Sequence, residues 1–359
     1  MQKPTGGKFH RNEVAILGAP CGIIHQLVED IQPSLAHLKM GYVDADHQAS
    51  EFEGEFRKVY TDKISHHQLS FHAEDLTYQF RQVFNDTDGV IVNGNHFKAE
   101  AQIVIVNEKK RDSLQRKLDR LTDVKAILLD EGIDQPFDFL MEHLGEKQVP
   151  VFRLDDLKSI AVLIENLLNE VPPVNGLVLA GGKSTRMGHD KGAITYYDKP
   201  QREYMADLLS KNCQETYLSV LSEIDSVIPQ IPDSFLDLGP FGGILSAFRK
   251  NPNSAWLAVA CDVPFVDDHT INLLISQRDP SKLATCFHNP ETNFPEPLIT
   301  LWEPRAYPVL LHFLTLGYSC PRKVLINSEV KEIEVPNEQV LLNVNTPEEK
   351  EHAEQMIHG

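Results

Sequence analysis

In the segment Leu179-Ala-Gly-Gly-Lys-Ser-Thr-Arg-Met-Gly-His-Asp-Lys191, the adjacent Gly181 and Gly182 are followed by Lys183, Ser184, Arg186 and Lys191. Glycines let backbone N–H groups approach an anion with no Cβ in the way, and the three cations concentrate positive charge at one turn. Such a turn suits a polyphosphate, and a triphosphate is its natural guest. The spacing is neither the GxxxxGK[ST] of a P-loop nor the GxGxxG of dinucleotide folds, so both of those readings fail. A second candidate is Asp262, which follows the apolar run 256–260. That position predicts the carboxyl end of a strand, where α/β sheets gather their ligands, and suits a Mg²⁺ ligand. The alternative reading of Asp262 is a helix or turn cap ahead of Pro264. No Ser-His-Asp or Cys-His constellation is apparent along the chain.

These residues need a scaffold, and the apolar runs predict one. Strands are expected at 14–17, 40–43, 90–92, 103–106, 126–129 and 149–152, with helices at 23–31, 112–121 and 157–168 between them. Alternation of this kind predicts a mostly parallel sheet covered by helices. The stretch Asn169-Glu-Val-Pro-Pro-Val-Asn175 then supplies two prolines and no apolar periodicity, which suits a linker. The expected domains are therefore 1–171 and 172–359. In the second, strands are expected at 176–179, 216–221, 256–260, 298–301 and 330–335, with helices at 203–213, 243–249, 268–277, 307–316 and 347–358, again α/β.

Composition bounds the partners. The 359 residues include 52 Asp and Glu against 34 Lys and Arg, a net charge of −18. A mean field of that sign repels nucleic acid and anionic membranes, so neither is expected as a partner, and an anionic substrate must meet a locally basic site. Cys21, Cys213, Cys261, Cys286 and Cys320 form no CxxC pair, which argues against a zinc knuckle or a secreted disulfide framework and points to a reducing cytoplasm. The amino-terminal stretch lacks the apolar core of a signal peptide, and no run is long enough to span a bilayer. His66, His67 and His72 lack the spacing of a zinc site, and Lys109-Lys110-Arg111 reads as the solvated start of a helix.

Residues 179–191 closely resemble the LAGGxSxRMGxDK signature of the molybdenum cofactor guanylyltransferase (MobA) family. Gly239-Pro-Phe-Gly-Gly-Ile-Leu245, Ala260-Cys-Asp-Val-Pro-Phe265, Glu296-Pro-Leu298 and Asn343-Val-Asn-Thr-Pro-Glu-Glu349 are similar to further motifs of that family, in the same order. The resemblance implies a Rossmann-like nucleotidyltransferase fold for the second domain. It also implies Mg²⁺-dependent transfer of GMP from GTP to the terminal phosphate of molybdenum-molybdopterin, with pyrophosphate released. A phosphate nucleophile is already anionic near neutral pH, so such a site needs positioning and charge neutralisation rather than a general base. The catalytic residues expected on this basis are Arg186, Lys191 and Asp262. The nucleotide is expected to meet Leu179, Ala180, Gly181, Gly182, Ser184, Arg186, Lys191, Asp237, Gly242, Gly243 and Asp262. The resemblance makes Asn345 a second metal ligand, with a helix cap before Pro347 as the alternative. It makes Asp237 a guanine acceptor, with a solvated loop carboxylate as the alternative. Gly242 and Gly243 are read either as nucleotide neighbours or as turn glycines. The family's asparagine near the base is missing from 217–223, where Ser219, Val220, Leu221 and Ser222 stand.

The first domain more weakly resembles the MobB-type partner of these enzymes, through Tyr42-Val-Asp-Ala-Asp-His47, Gly89-Val-Ile-Val-Asn-Gly94 and Val149-Pro-Val-Phe-Arg-Leu-Asp-Asp156. That implies a P-loop-NTPase-like α/β domain. The turn after its first strand reads Gly18-Ala-Pro-Cys-Gly-Ile-Ile-His25, without the phosphate-binding Lys or the Mg²⁺-holding Ser or Thr, so no nucleotide hydrolysis is expected there. Asp44, Asp46 and His47 are read as a metal site or as solvated loop residues. Its expected role is an adaptor, with molybdoenzyme apoproteins or other cofactor-assembly proteins as partners. Two other readings of the whole chain are CMP transfer from CTP and a noncatalytic cofactor carrier.

Overall fold

Unbroken runs of Val, Ile and Leu form strands buried on both faces, as parallel strands covered by helices must be. The computed structural model describes residues 7–45, 58–71, 80–181 and 191–358, and divides the chain into two units, Thr5–Glu170 and Val171–Gly359. The first contains strands β1 (Glu13–Leu17), β2 (Met40–Val43), β3 (Lys58–Asp62), β4 (His67–Phe71), β5 (Gly89–Asn93), β6 (Ala101–Val106), β7 (Val124–Leu129) and β8 (Val151–Arg153). Its helices are α1 (Cys21–Ile31), α2 (Phe80–Val83), α3 (Arg111–Gln115), α4 (Asp138–Leu144) and α5 (Leu157–Leu168). Six strands form one sheet in the order β2-β5-β1-β6-β7-β8, with every neighbouring pair parallel. Helices α1 and α5 bury Ile24, Leu27, Ile31, Ile160 and Ile164 on one face, while Leu114, Phe137 and Leu140 cover the other. This is a parallel α/β unit, with Gly18-Ala-Pro-Cys-Gly22 in the turn that follows β1.

Two expectations for this unit need correction. The helix expected over 112–121 stops at Gln115, and a separate 3₁₀ turn follows at Leu118–Arg120. The break sets Lys117 and Arg120 against the carbonyl oxygens of Gly94 and Asn95. The polar, histidine-bearing stretch forms an antiparallel ribbon, β3 with β4, that the apolar pattern did not announce. Asp46, His47 and His72 lie outside the described residues. Among the described residues, no group of three His, Cys, Asp or Glu side chains could hold a metal, and no helix is long and apolar enough to cross a membrane.

The second unit contains β9 (Val174–Leu179), β10 (Thr195–Tyr197), β11 (Lys199–Pro200), β12 (Thr216–Val220), β13 (Gln230–Pro232), β14 (Ala255–Ala260), β15 (Ala284–Asn289), β16 (Phe294–Trp302) and β17 (Lys331–Glu334). Its helices are α6 (Gln201–Ser210), α7 (Pro240–Lys250), α8 (Asp268–Ser276), α9 (Ala306–Thr315), α10 (Pro321–Ile326) and α11 (Pro347–His358). Seven strands form a sheet in the order β13-β12-β9-β14-β16-β15-β17. Strands β13, β12, β9 and β14 are mutually parallel, and β16 runs antiparallel between β14 and β15. Helices α7, α9 and α10 pack Phe241, Phe248, Leu310 and Leu325 against one face, and α6 and α8 pack Met205, Leu209, Ile271 and Leu274 against the other.

A buried ion pair ties the end of α8 to the end of β16. Arg278 Nε and Nη2 donate to Glu303 Oε1 and Oε2 at 2.6 and 2.8 Å, and the Glu303 side chain is 1% exposed. Removing the guanidinium strands a buried carboxylate, so Arg278→Ala is expected to cost about 3–5 kcal/mol in urea unfolding. A loss below about 1 kcal/mol, the scale of a surface pair, would show that water replaces the arginine without penalty.

Candidate functional site

Strand β9 lies inside its sheet; the chain winds first to β12 and β13, then returns across it to β14. Ligand crevices of open α/β sheets form at the carboxyl ends of strands where the winding reverses. The parallel register sets Leu179 beside Ser219 on one side and Ala260 on the other. Ala180 N–H donates to the Ser219 carbonyl at 3.0 Å, and Cys261 N–H donates to that of Leu179 at 3.4 Å. Leu179, Ala180 and Gly181 therefore begin a turn between two strand ends. Gly182, Ser184 and Arg186 lie outside the described residues, and the described backbone resumes with the 3₁₀ turn Lys191–Ala193.

Asp262 stands two residues beyond β14, half-buried. Val344 N–H donates to its carbonyl oxygen at 2.8 Å, which lays the segment bearing Asn345 along the same strand end. The helix caps nearest the two residues are filled by their neighbours. Asp267 caps α8, its Oδ1 accepting from Thr270 N–H at 2.8 Å and from Thr270 Oγ1 at 2.6 Å. Thr346 and Glu349 form the reciprocal cap of α11: Glu349 N–H donates to Thr346 Oγ1 at 3.2 Å, and Glu349 Oε2 accepts from Thr346 N–H at 3.1 Å. Buried Tyr196 senses the site, its hydroxyl pushed up by burial, then by the charges of Glu354 and Asp262. A carboxylate and a carboxamide are hard oxygen donors, a set that fits Mg²⁺ with phosphate oxygens and water completing its shell.

Gly242 and Gly243 occupy the first turn of α7, fully buried. A Cβ on Gly242 would lie 2.3 Å from the Phe235 carbonyl oxygen, and one on Gly243 would lie 2.4 Å from Ser219 Oγ and 3.1 Å from Leu179 Cδ2. The glycines thus let α7 press against the loop after β13 and the ends of β12 and β9. Asp237 is exposed on that loop, in the left-handed region at φ 61°, ahead of Gly239 at φ 57°. Four residues earlier, Asp233 presents a half-buried carboxylate that motif spacing does not reveal. Its Oδ1 accepts from Ser219 Oγ at 3.4 Å, and its amide donates to the Val220 carbonyl at 2.8 Å. Burial pushes its carboxyl up to about 6, while the Ser219 hydrogen bond pulls it down. The signal in the sequence was Asp233 directly after the short strand ending at Pro232, but β13 itself was not anticipated.

A doubly wound sheet that starts a glycine-bearing turn and a strand-end aspartate from neighbouring strands has the layout of a nucleotide-binding unit. Residues 176–331 match the MobA-like NTP transferase domain. A "Molybdenum cofactor guanylyltransferase" from Aliivibrio salmonicida is 30% identical over 189 residues, covering 49% of this chain and 93% of that protein. The chain belongs to this MobA-like family. A "Molybdenum cofactor biosynthesis bifunctional protein" from Synechocystis sp. is 34% identical over 183 residues, 49% of this chain, and the match spans only 52% of that relative's length. Among solved structures, molybdopterin-guanine dinucleotide biosynthesis protein A from Archaeoglobus fulgidus aligns at 22% identity and TM-score 0.44, over 51% of this chain and 97% of that one. Bacillus subtilis MobB aligns at 22% identity and TM-score 0.33, over 44% of this chain and 99% of its own.

The packing at α7 yields a test that needs no nucleotide. Gly242→Ala forces a methyl group against backbone, and overpacking of this kind costs about 1–3 kcal/mol. Thermal melting of the ligand-free variant should therefore fall measurably below wild type, and an unchanged midpoint would remove the packing role.

Proposed function

We propose that the C-terminal unit transfers GMP from GTP to the terminal phosphate of molybdenum-molybdopterin, giving pyrophosphate and molybdopterin guanine dinucleotide. The observation that carries this reading is the convergence of the Leu179–Gly181 turn with Asp262 and the Asn345 segment at one strand edge. The names of the guanylyltransferase relatives support it. In this reading Asp262 and Asn345 hold Mg²⁺, and Arg186 and Lys191 meet the triphosphate. When bound, Mg²⁺ supplies charge neutralisation to the phosphate oxygens. The remaining work is positioning, because the acceptor phosphate brings its own negative charge. The backbone of the glycine turn cradles phosphate oxygens, and the amino end of α7 adds its dipole.

Base choice rests on Asp233 rather than Asp237. Guanine offers two neighbouring N–H donors on one edge, which an ionised carboxylate accepts together, whereas cytosine offers a single donor beside two acceptors. The half-buried Asp233, held beside Ser219 at the end of β12, suits that task better than an exposed loop residue. The N-terminal unit acts as an adaptor for apoenzymes or cofactor-assembly proteins. The five free cysteines suit a reducing cytoplasm.

Purified full-length protein with Mg²⁺, molybdenum-loaded pterin and either GTP or CTP is expected to release pyrophosphate with GTP. Release with CTP alone would transfer the reading to the cytidylyl reaction, and release with neither would remove the enzyme. Lys191→Ala and Asp262→Ala should each lower turnover about 10²-fold or more. Full activity in both would refute their roles.

Asp233 sets a pH dependence. Protonation through about 6 removes the acceptor, so KM for GTP should rise as the solution is acidified from neutral, and Asp233→Asn should abolish that dependence together with GTP preference. The stability sign is opposite. A carboxyl raised on folding loses its stabilising contribution as pH rises through the folded value, so the Asn variant should melt above wild type at neutral pH, with the advantage fading in acid. An Asn variant that keeps GTP preference would place base recognition elsewhere.

A further inference from the structure

The N-terminal unit assembles a second chemical cluster from residues 75 positions apart. Cys21 is the first residue of α1, and its Sγ lies 3.2 Å from His96 Nε2. The turn that presents it is fixed on both sides. Gly18 sits at φ 97°, where a Cβ would strike the Ile105 carbonyl oxygen at 2.3 Å. Asn95 Nδ2 donates to the Ala19 carbonyl at 2.8 Å, and Asn95 Oδ1 accepts from Gly18 N–H at 3.4 Å. Two cations back the pair: Lys117 Nζ donates to the Asn95 carbonyl at 3.1 Å, and Arg120 Nη1 reaches the Gly94 carbonyl at 3.3 Å. The Lys117 ammonium is weakened by burial and by the charges of Arg120 and Lys110, while Cys21 pulls the other way, so sulfur and amine lie within electrostatic reach.

Among the described residues, the other titratable neighbours on β2 and α1 have partners of their own. On β2, Asp44 accepts from Tyr42 OH at 2.6 Å, from Asn93 Nδ2 at 2.7 Å and from Ala45 N–H at 2.7 Å. On α1 itself, His25 pairs with Glu29 at 3.4 Å. The amino end of an 11-residue helix sets positive partial charge beside the sulfur. Cys21 is half exposed, and a Cβ at the adjoining Gly22 would meet nothing within 4 Å, so reagents can approach. By contrast, burial pushes the Cys213 thiol up to about 12 and raises that of Cys286, which leaves both inert.

We propose that Cys21 and His96 form a nucleophilic cysteine–histidine pair, a modification site for soft electrophiles of which peroxide is the natural class. His96 takes the thiol proton. The sulfur attacks one oxygen of hydrogen peroxide, an S–O bond forms and the O–O bond breaks. The departing hydroxide collects the imidazolium proton and leaves as water. Sulfur loses two electrons, peroxide gains them, and Cys21 becomes a sulfenic acid. The other four cysteines all belong to the C-terminal unit.

The test is competitive labelling within the full-length chain, with exposed Cys320 as internal reference. After a short iodoacetamide pulse at neutral pH, peptide mass spectrometry should find Cys21 modified about tenfold faster than Cys320, and His96→Gln should bring the two rates near parity. Hydrogen peroxide followed by dimedone should tag Cys21 and spare Cys320. Equal wild-type rates, or an unchanged Cys21 rate in a folded His96→Gln protein, would overturn the pair. If that variant does not fold, the wild-type ratio decides alone.

Discussion

The register between β9 and β14 is the constraint on which the candidate site depends. Because Leu179 pairs with Ala260, the glycine turn and Asp262 leave neighbouring strands at the same level. A slip of one residue would turn Leu177 and Leu257 out of their respective cores and carry the two chemical segments apart. Core packing and site geometry are thus specified by the same pairing. The bond from Val344 to the Asp262 carbonyl extends that alignment to the carboxy-terminal segment, which arrives from far along the chain.

Local periodicity carried much of this architecture. The apolar runs at 14–17, 103–106 and 256–260 are central strands, and strands of that kind are recognisable because both faces are buried. What escaped lies at edges and in tertiary detail. Strand β13 is only Gln230–Pro232, too short to carry an apolar signature of its own. Ribbon β3–β4 is polar, and only its cross-strand pairing reveals it. The antiparallel direction of β16 depends on which strands flank it, information absent from its own residues.

The candidate site divides the same way. Asp262 was legible because a strand-end aspartate follows a visible apolar run. Asp233 was not, since its significance lies in partial burial beside Ser219, a residue 14 positions earlier. Resemblance also could not separate the two explanations of Gly242 and Gly243. The structure supplies a packing reason for both, independent of any nucleotide. Cys21 and His96 make the point most sharply: no spacing rule pairs them, and only the parallel sheet brings β1 and β5 together so that the residues following each can meet.

The first turn of α7 bears on how an acidic chain would hold a polyanion in the proposed reaction. With no side chains at Gly242 and Gly243, the helix seats its positive pole close to the ends of β9 and β12. That attraction belongs to peptide groups, which neither titrate nor detach and which buried surroundings shield poorly from their target. In the proposed reaction, selection could then make the exterior strongly negative, for solubility, at no cost to phosphate binding.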